Sequence, residues 1–242
     1  MKKHQHLQAT KMDVQVLATG STGNCYILRS GESSLLLELG INHKKMLKGS
    51  HFNLPKTAIV SHLHGDHSKF TAEFMQHGGE VFALNSVFCT YNLEKHAKAN
   101  IIKHGDTFAI EGFQVACFEV QHSVENLCFL IADEDDILFF FTDTSGMWYR
   151  PKGVTKMLAE CNYSMLTLDH EANDQHLNST QEHMSLEDLV LFFNDSDMTE
   201  CEEIILIHAS ETNGNTDFFR NTVEKETGII TKIALKNGGC IE

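Results

Sequence analysis

The chain is 242 residues long and 42% hydrophobic, enough to bury one large core or two small ones. With 33 acidic against 19 basic side chains its formal net charge is −14, and no basic tail or stripe is present, which excludes a general electrostatic grip on nucleic-acid phosphates. A polynucleotide would have to be held by a local patch and by metals; a small anionic substrate is an open alternative.

The longest apolar runs, such as Ile137 to Phe141, are strand-sized, too short to span a bilayer. No apolar signal core follows the basic start Met1-Lys2-Lys3. The seven cysteines are scattered without a C-x-x-C, which argues against a disulfide framework or a zinc ribbon. A cytoplasmic chain with reduced thiols and no membrane partner is expected.

Residues 1 to 12 are polar and unpatterned and read as a frayed extension, in which His4 and His6 carry no role. Residues 13 to 242 read as one domain. Asp13 to Thr19 alternates as a strand does, Gly20-Ser21-Thr22-Gly23-Asn24 turns the chain, and Cys25 to Arg29 and Ser34 to Leu39 complete a β-meander around Gly31-Glu32. The glycines of that first turn would also let backbone N–H groups approach an anion or an active-site rim. Asn42 to Lys48 reads as a short helix.

The apolar run Thr57-Ala58-Ile59-Val60 is a buried strand, and it leads into Ser61-His62-Leu63-His64-Gly65-Asp66-His67. Three imidazoles and a carboxylate stand within six residues. Alternation points His62 and His64 the same way, so both can reach one metal ion, and a sharp turn at Gly65 would free Asp66 and His67 for a second. Two divalent cations that close activate a water and clamp both oxygens of an in-line displacement.

Lys69 to His77 reads as helix, with Phe70 and Phe74 on one face, and Gly78-Gly79 ends it before the strand Glu80 to Leu84. This βαβ unit favours a sheet covered by helices. Residues 86 to 98 read as further helix, and strands dominate from Ile101 to Phe141. Val115 to Val120 ends at His122, where a third ligand for the first metal is needed. Phe139-Phe140-Phe141 stops at Asp143, a carboxylate that can bridge two cations.

Lys156 to Ala159 runs into Glu160-Cys161-Asn162, and His170 and His176 fall in an irregular polar stretch that reads as solvated. Leu186, Leu189, Val190 and Phe193 form one helical face, capped by Ser185 with Asp188 three residues on, so His183 stands just outside a positive helix end and can contact a phosphate. The strand Ile204 to Ile207 ends at His208, which can complete the second metal site. Thr216 to Thr227 is helical, Gly228 stops it, and Thr231 to Leu235 is a last strand.

His62-x-His64-x-Asp66-His67 after an apolar strand resembles the signature of the metallo-β-lactamase-fold hydrolases. Taken with Gly20 to Asn24, His122, Asp143, Glu160-Cys161-Asn162, His183-Met184-Ser185 and His208 in order, the chain is similar to the YycJ-like (WalJ-like) branch of bacterial and phage exonucleases, and more distantly to ribonuclease Z. The resemblance implies a four-layer αβ/βα sandwich of the α/β class. It implies His62, His64 and His122 on one ion, Asp66, His67 and His208 on the other, and Asp143 between them. It gives Glu38, where relatives carry Asp, a supporting role behind the metal loop. From ribonuclease Z it implies that Glu160 and His183 form a pair handling the leaving-group proton; no long inserted arm for tRNA is present.

The expected function is metal-dependent phosphodiester hydrolysis with two zinc or manganese ions, Asp66, His183 and Glu160 acting at the reaction centre. DNA is favoured over RNA as partner, and a cyclic nucleotide or other small nucleotide is the acidic chain's alternative. A thioester or other acyl hydrolase could use the same ligands, and a non-catalytic metal-stabilised module is the third reading; fold does not choose among them.

Overall fold

The run Leu138-Phe139-Phe140-Phe141 is buried throughout and shows how the chain is layered. Leu138 and Phe140 face the core between two sheets, whereas Phe139 and Phe141 face a second core beneath helices. A strand presents alternate side chains to opposite faces, so an unbroken apolar run needs cover on both. Ile204 to Ile207 divides the same way, Ile205 and Ile207 inward and Ile204 and Leu206 toward the helices.

The computed structural model describes residues 11–167, 182–210 and 214–241. Among these, one sheet has strands β1 (Asp13–Ala18), β2 (Cys25–Ser30), β3 (Ser33–Leu37), β4 (Thr57–Val60), β5 (Glu80–Ala83) and β6 (Ala99–Ile101) in sequence order. The other runs in reverse from β14 (Cys240–Ile241) through β13 (Ile230–Ala234), β12 (Glu203–Ile207), β11 (Lys156–Glu160), β10 (Ile137–Phe141), β9 (Leu127–Ala132) and β8 (Phe113–Glu119) to β7 (Thr107–Ile110). Met46 of α1 (His43–Gly49), Phe74 and Met75 of α3 (Thr71–Gln76) and Val87 and Phe88 of α4 (Asn85–Thr90) belong to the same contiguous apolar cluster, to which consecutive residues such as Leu35, Leu36 and Leu37 contribute from both faces of the first sheet. The outer core lies under α5 (Leu186–Asn194) and α6 (Thr216–Thr227), through Leu189, Phe192, Phe193, Phe219 and Val223. The result is the expected four-layer sandwich.

Caps fall where the residue types allow. Asn42 accepts from the Lys45 N–H, Ser185 from the Asp188 N–H, and Gly228 closes α6 with a φ of 72°. Three local expectations change. The helix over 86 to 98 stops at Thr90, because Asn92 enters the left-handed region at φ 55° and the chain continues in turns. The helix expected from Lys69 starts only at Thr71, and the hairpin strand β14 was not legible in its two residues. Lys11 and Met12 are tied to the domain, Met12 buried with its N–H on Asp136 Oδ2 at 2.8 Å and Lys11 paired with Glu202. No helix among the described residues is long and apolar enough to cross a membrane.

Candidate metal centre

Parallel pairing of β3 with β4, and of β10, β11 and β12 with one another, brings their C-terminal ends to common edges. There stand Glu38, His62, Asp143, Glu160 and His208. Three of them hold a left-handed backbone that non-glycine residues avoid: Glu38 at φ 67°, Asp143 at 49° and His208 at 54°. Such strain costs on the order of 1–3 kcal/mol each and persists only where surrounding contacts impose it. Those contacts are buried amides and hydroxyls. Asn126 Nδ2 donates to the carbonyls of Thr142 and Asp143 at 2.9 and 2.7 Å, and Asn162 Nδ2 donates to the His208 carbonyl at 2.8 Å. The His208 N–H donates to Thr19 Oγ1 at 2.9 Å.

His62, His64, His122 and Asp143 form a first group whose ligand atoms lie within 4.8 Å of one another. His122 Nε2 is 3.1 Å from His64 Nδ1, and His62 Nε2 is 4.0 Å from Asp143 Oδ2. His62 is fully buried, with Nδ1 on Ser61 Oγ at 2.9 Å and Nε2 without a hydrogen-bond partner. Burial, then the charge of His67, hold its pKa well below the usual imidazole range. A neutral imidazole aiming a buried, unpaired nitrogen at two other imidazoles and a carboxylate suits a divalent cation.

Asp66, His67, Asp143 and His208 form the second group. Asp66 Oδ2 is 3.3 Å from Nε2 of both His67 and His208, and Asp143 Oδ1 is 3.1 and 3.6 Å from the same atoms. Burial opposes charge on both rings, yet Asp143 and the other carboxylates outweigh it, lifting His67 well above the usual range and His208 to about 10. The carboxylates thus demand local positive charge. A cation placed among them would supply it, so this donor set also fits one.

Glu38 is buried behind the metal loop, its two oxygens 3.2 and 3.3 Å from the Ser61 N–H. Its Oε2 is 3.6 Å from His67 Nδ1, too far for a hydrogen bond but close enough for charge to act. Gly65 is not the turn that the sequence reading required: it opens the one-turn helix α2 (Gly65–Ser68) without a positive φ, and a Cβ there would meet nothing. The glycine the loop depends on is Gly40, whose added Cβ would stand 1.7 Å from the Asp66 carbonyl oxygen. Asn24, in the first turn, donates its backbone N–H to that oxygen at 2.7 Å and places Nδ2 3.0 Å from His67 Nε2.

Glu160 and His183 meet. His183 Nδ1 is 2.6 Å from Glu160 Oε1, while Glu160 Oε2 accepts N–H groups of Thr144 and Met184 at 2.9 and 3.3 Å. Burial disfavours charge on His183, but the Glu160 charge and hydrogen bond raise its pKa overall. His183 Nδ1 also lies 3.9 Å from Asp143 Oδ2, and Glu160 Oε1 reaches His208 Nδ1 at 3.4 Å, so Asp143, Glu160, His183 and His208 make a third cluster of donor atoms that shares Asp143 and His208 with the second. Glu160 therefore serves two histidines, which the sequence reading did not foresee. Asn24, Asn126, Asn162 and Thr19 were also missed as site supports; only Asn24 and Asn162 had a signal, as members of the turn and Glu-Cys-Asn motifs. His4, His6, His170 and His176 lie outside the described residues.

No family model matches the chain. Exodeoxyribonuclease YycJ of Bacillus anthracis is 27% identical over 232 residues, covering 87% of each chain. The atrochrysone carboxyl ACP thioesterase of Aspergillus fumigatus is 27% identical over 138 residues, 54% of this chain and 42% of that one. Among solved structures, the metallo-β-lactamase fold protein YhfI of Bacillus subtilis superposes with a TM-score of 0.72 at 17% identity, over 96% of this chain and 100% of YhfI. The short form of human tRNase Z does so with a TM-score of 0.67 at 15% identity, over 96% and 99%. The chain has the metallo-β-lactamase fold, and the likeness to YycJ supports the YycJ-like branch within it.

Proposed function

We propose that this chain, built on the metallo-β-lactamase fold, is a metal-dependent phosphodiesterase acting on nucleic acid, DNA in preference to RNA. The observation that carries the reading is the Glu160–His183 pair at 2.6 Å, whose cluster shares Asp143 and His208 with the neighbouring donor group. His62, His64 and His122 would hold one zinc or manganese ion, Asp66, His67 and His208 a second, with Asp143 shared. Bound there, the cations would lower the pKa of a water and offset negative charge gathering on phosphate oxygens.

The chain's own groups do the rest. Asp66, with its side chain 21% exposed, is the most open of the acidic ligands and can hold the proton of an attacking water. His183 gives Nδ1 to Glu160, which leaves Nε2 to face substrate. The Glu160 charge and hydrogen bond raise its pKa, which favours the protonated form needed to donate to a leaving oxygen. Glu160, locked by two backbone N–H groups, fixes the ring's orientation. Acyl hydrolysis has no evident use for this pair, although the Aspergillus likeness makes a thioester the right control.

Metal-reconstituted protein is expected to release p-nitrophenol from bis(p-nitrophenyl) phosphate. Asp66→Ala should abolish turnover, and His183→Ala should lower kcat by about 10²–10⁴-fold. Hydrolysis of a thioester with no phosphodiester turnover in zinc or manganese would replace this reading with an acyl hydrolase.

A further inference from the structure

The acidic chain has 33 carboxylates against 19 lysines and arginines, yet the surface beside the metal loop reverses that balance. A hollow of about 360 Å³ reaches Asp66 and is lined also by Ser21, Thr22, Lys45 and Lys69. A second of about 390 Å³ is lined by Thr22, Lys45, Lys48, His51 and Lys236. Thr22, Ile41 and Lys45 belong to both, so the hollows adjoin. Four lysines line them, and Asp66 is the one carboxylate in either lining.

The fold holds these lysines in place from three separate segments. Lys45 and Lys48 are three apart on α1, whose first turn is capped by Asn42. Lys69 follows α2 directly, and Lys236 lies in the β13–β14 turn, which is tied to β1 by the Gly239 N–H on the Val16 carbonyl at 3.0 Å. One phosphate at the metals needs no lysine two hollows away. A chain of phosphates does, and lysine side chains beside a backbone track are what hold it.

We propose that the two hollows form one groove that carries the phosphates of a single polynucleotide strand to the metal centre, so that the substrate is a strand and not a cyclic or mononucleotide. This rests on the phosphodiesterase reading. Four lysines gathered along one groove of a net-negative chain favour that path for a polyanion.

The test compares wild type with the triple variant Lys45→Glu, Lys48→Glu, Lys236→Glu and its milder counterpart with Gln at the three positions. Binding of a phosphorothioate DNA strand of about 20 nucleotides, and of its 2′-O-methyl RNA equivalent, is followed by fluorescence anisotropy across a range of KCl concentrations. Turnover of bis(p-nitrophenyl) phosphate is measured alongside. Strand affinity should fall at least about tenfold in the Glu variant and less in the Gln variant, with the log–log salt slope shallower by about 2 units. Turnover of the small diester should fall by much less than strand affinity, because none of the three lysines belongs to the donor groups. Unchanged strand affinity and slope in both variants would overturn the groove, whatever the small diester shows. Lysine-dependent strand binding without any diester turnover would leave the groove standing and remove the phosphodiesterase reading instead. Preference between the two strands reports DNA against RNA.

Discussion

Asp143 joins both donor groups from a backbone conformation that costs energy, with Asn126 gripping its carbonyl from below. The same device recurs at His208, held by Asn162 and Thr19. A side chain fixed in this way does not relax when its neighbours repel it. That explains how several carboxylates and imidazoles remain within 4.8 Å of one another. The charge arithmetic has a measurable result. His208, lifted to about 10, and His67, also raised, carry protons at neutral pH and must release them to coordinate a cation. Zinc binding near pH 7 is therefore expected to release more than one proton per protein, and metal affinity should fall as pH falls. Calorimetric titrations in buffers of different ionisation enthalpy would show this; a heat independent of buffer would contradict it.

At the scale of elements, the metal loop is a strand end joined to a one-turn helix and wedged against the β3–α1 connection. The wedge is Gly40, beneath the Asp66 carbonyl. Gly40→Ala should unseat Asp66, costing about 3 kcal/mol or more, with metal affinity lost in parallel. Gly65→Ala should do the reverse, stabilising by about 0.4–1 kcal/mol because the helical site is open and the unfolded chain loses freedom. Urea melts of the two variants read the contrast directly. The HxHxDH spacing made the loop's chemistry legible, but it attached the conformational demand to the wrong glycine. Gly65 is inside the motif; Gly40 matters because a residue 26 positions later packs on it, and no local pattern carries that information.

Across the whole molecule, two cores divide the apolar residues, and the cysteines follow them. Cys25 and Cys117 lie in the inner core, Cys128, Cys161 and Cys201 in the outer, and burial raises the thiol pKa of each. Cys89 is exposed and Cys240 half-buried. A disulfide-exchange reagent should accordingly modify one thiol promptly in the folded protein, a second slowly, and all seven in denaturant. Prompt reaction of three or more would mean that a core is open. The succession of strands along the chain, the layering and the metal-type residues at strand ends were readable from periodicity and spacing, because alternation and apolar runs depend only on near neighbours; the order of strands within each sheet was not. Which polar residues support the site was not. The contact of Thr19 with His208 spans 189 residues and that of Asn24 with His67 spans 43. The Lys45–Lys236 grouping likewise exists only because a terminal hairpin folds against the first strand. The sequence by itself therefore determined which residues offer metal-type donor atoms and which segments are buried, since both are properties of residue type and local order. Only the tertiary structure decided what holds those ligands in strained conformations and where an acidic chain gathers its positive charge, since these depend on distant segments meeting in space.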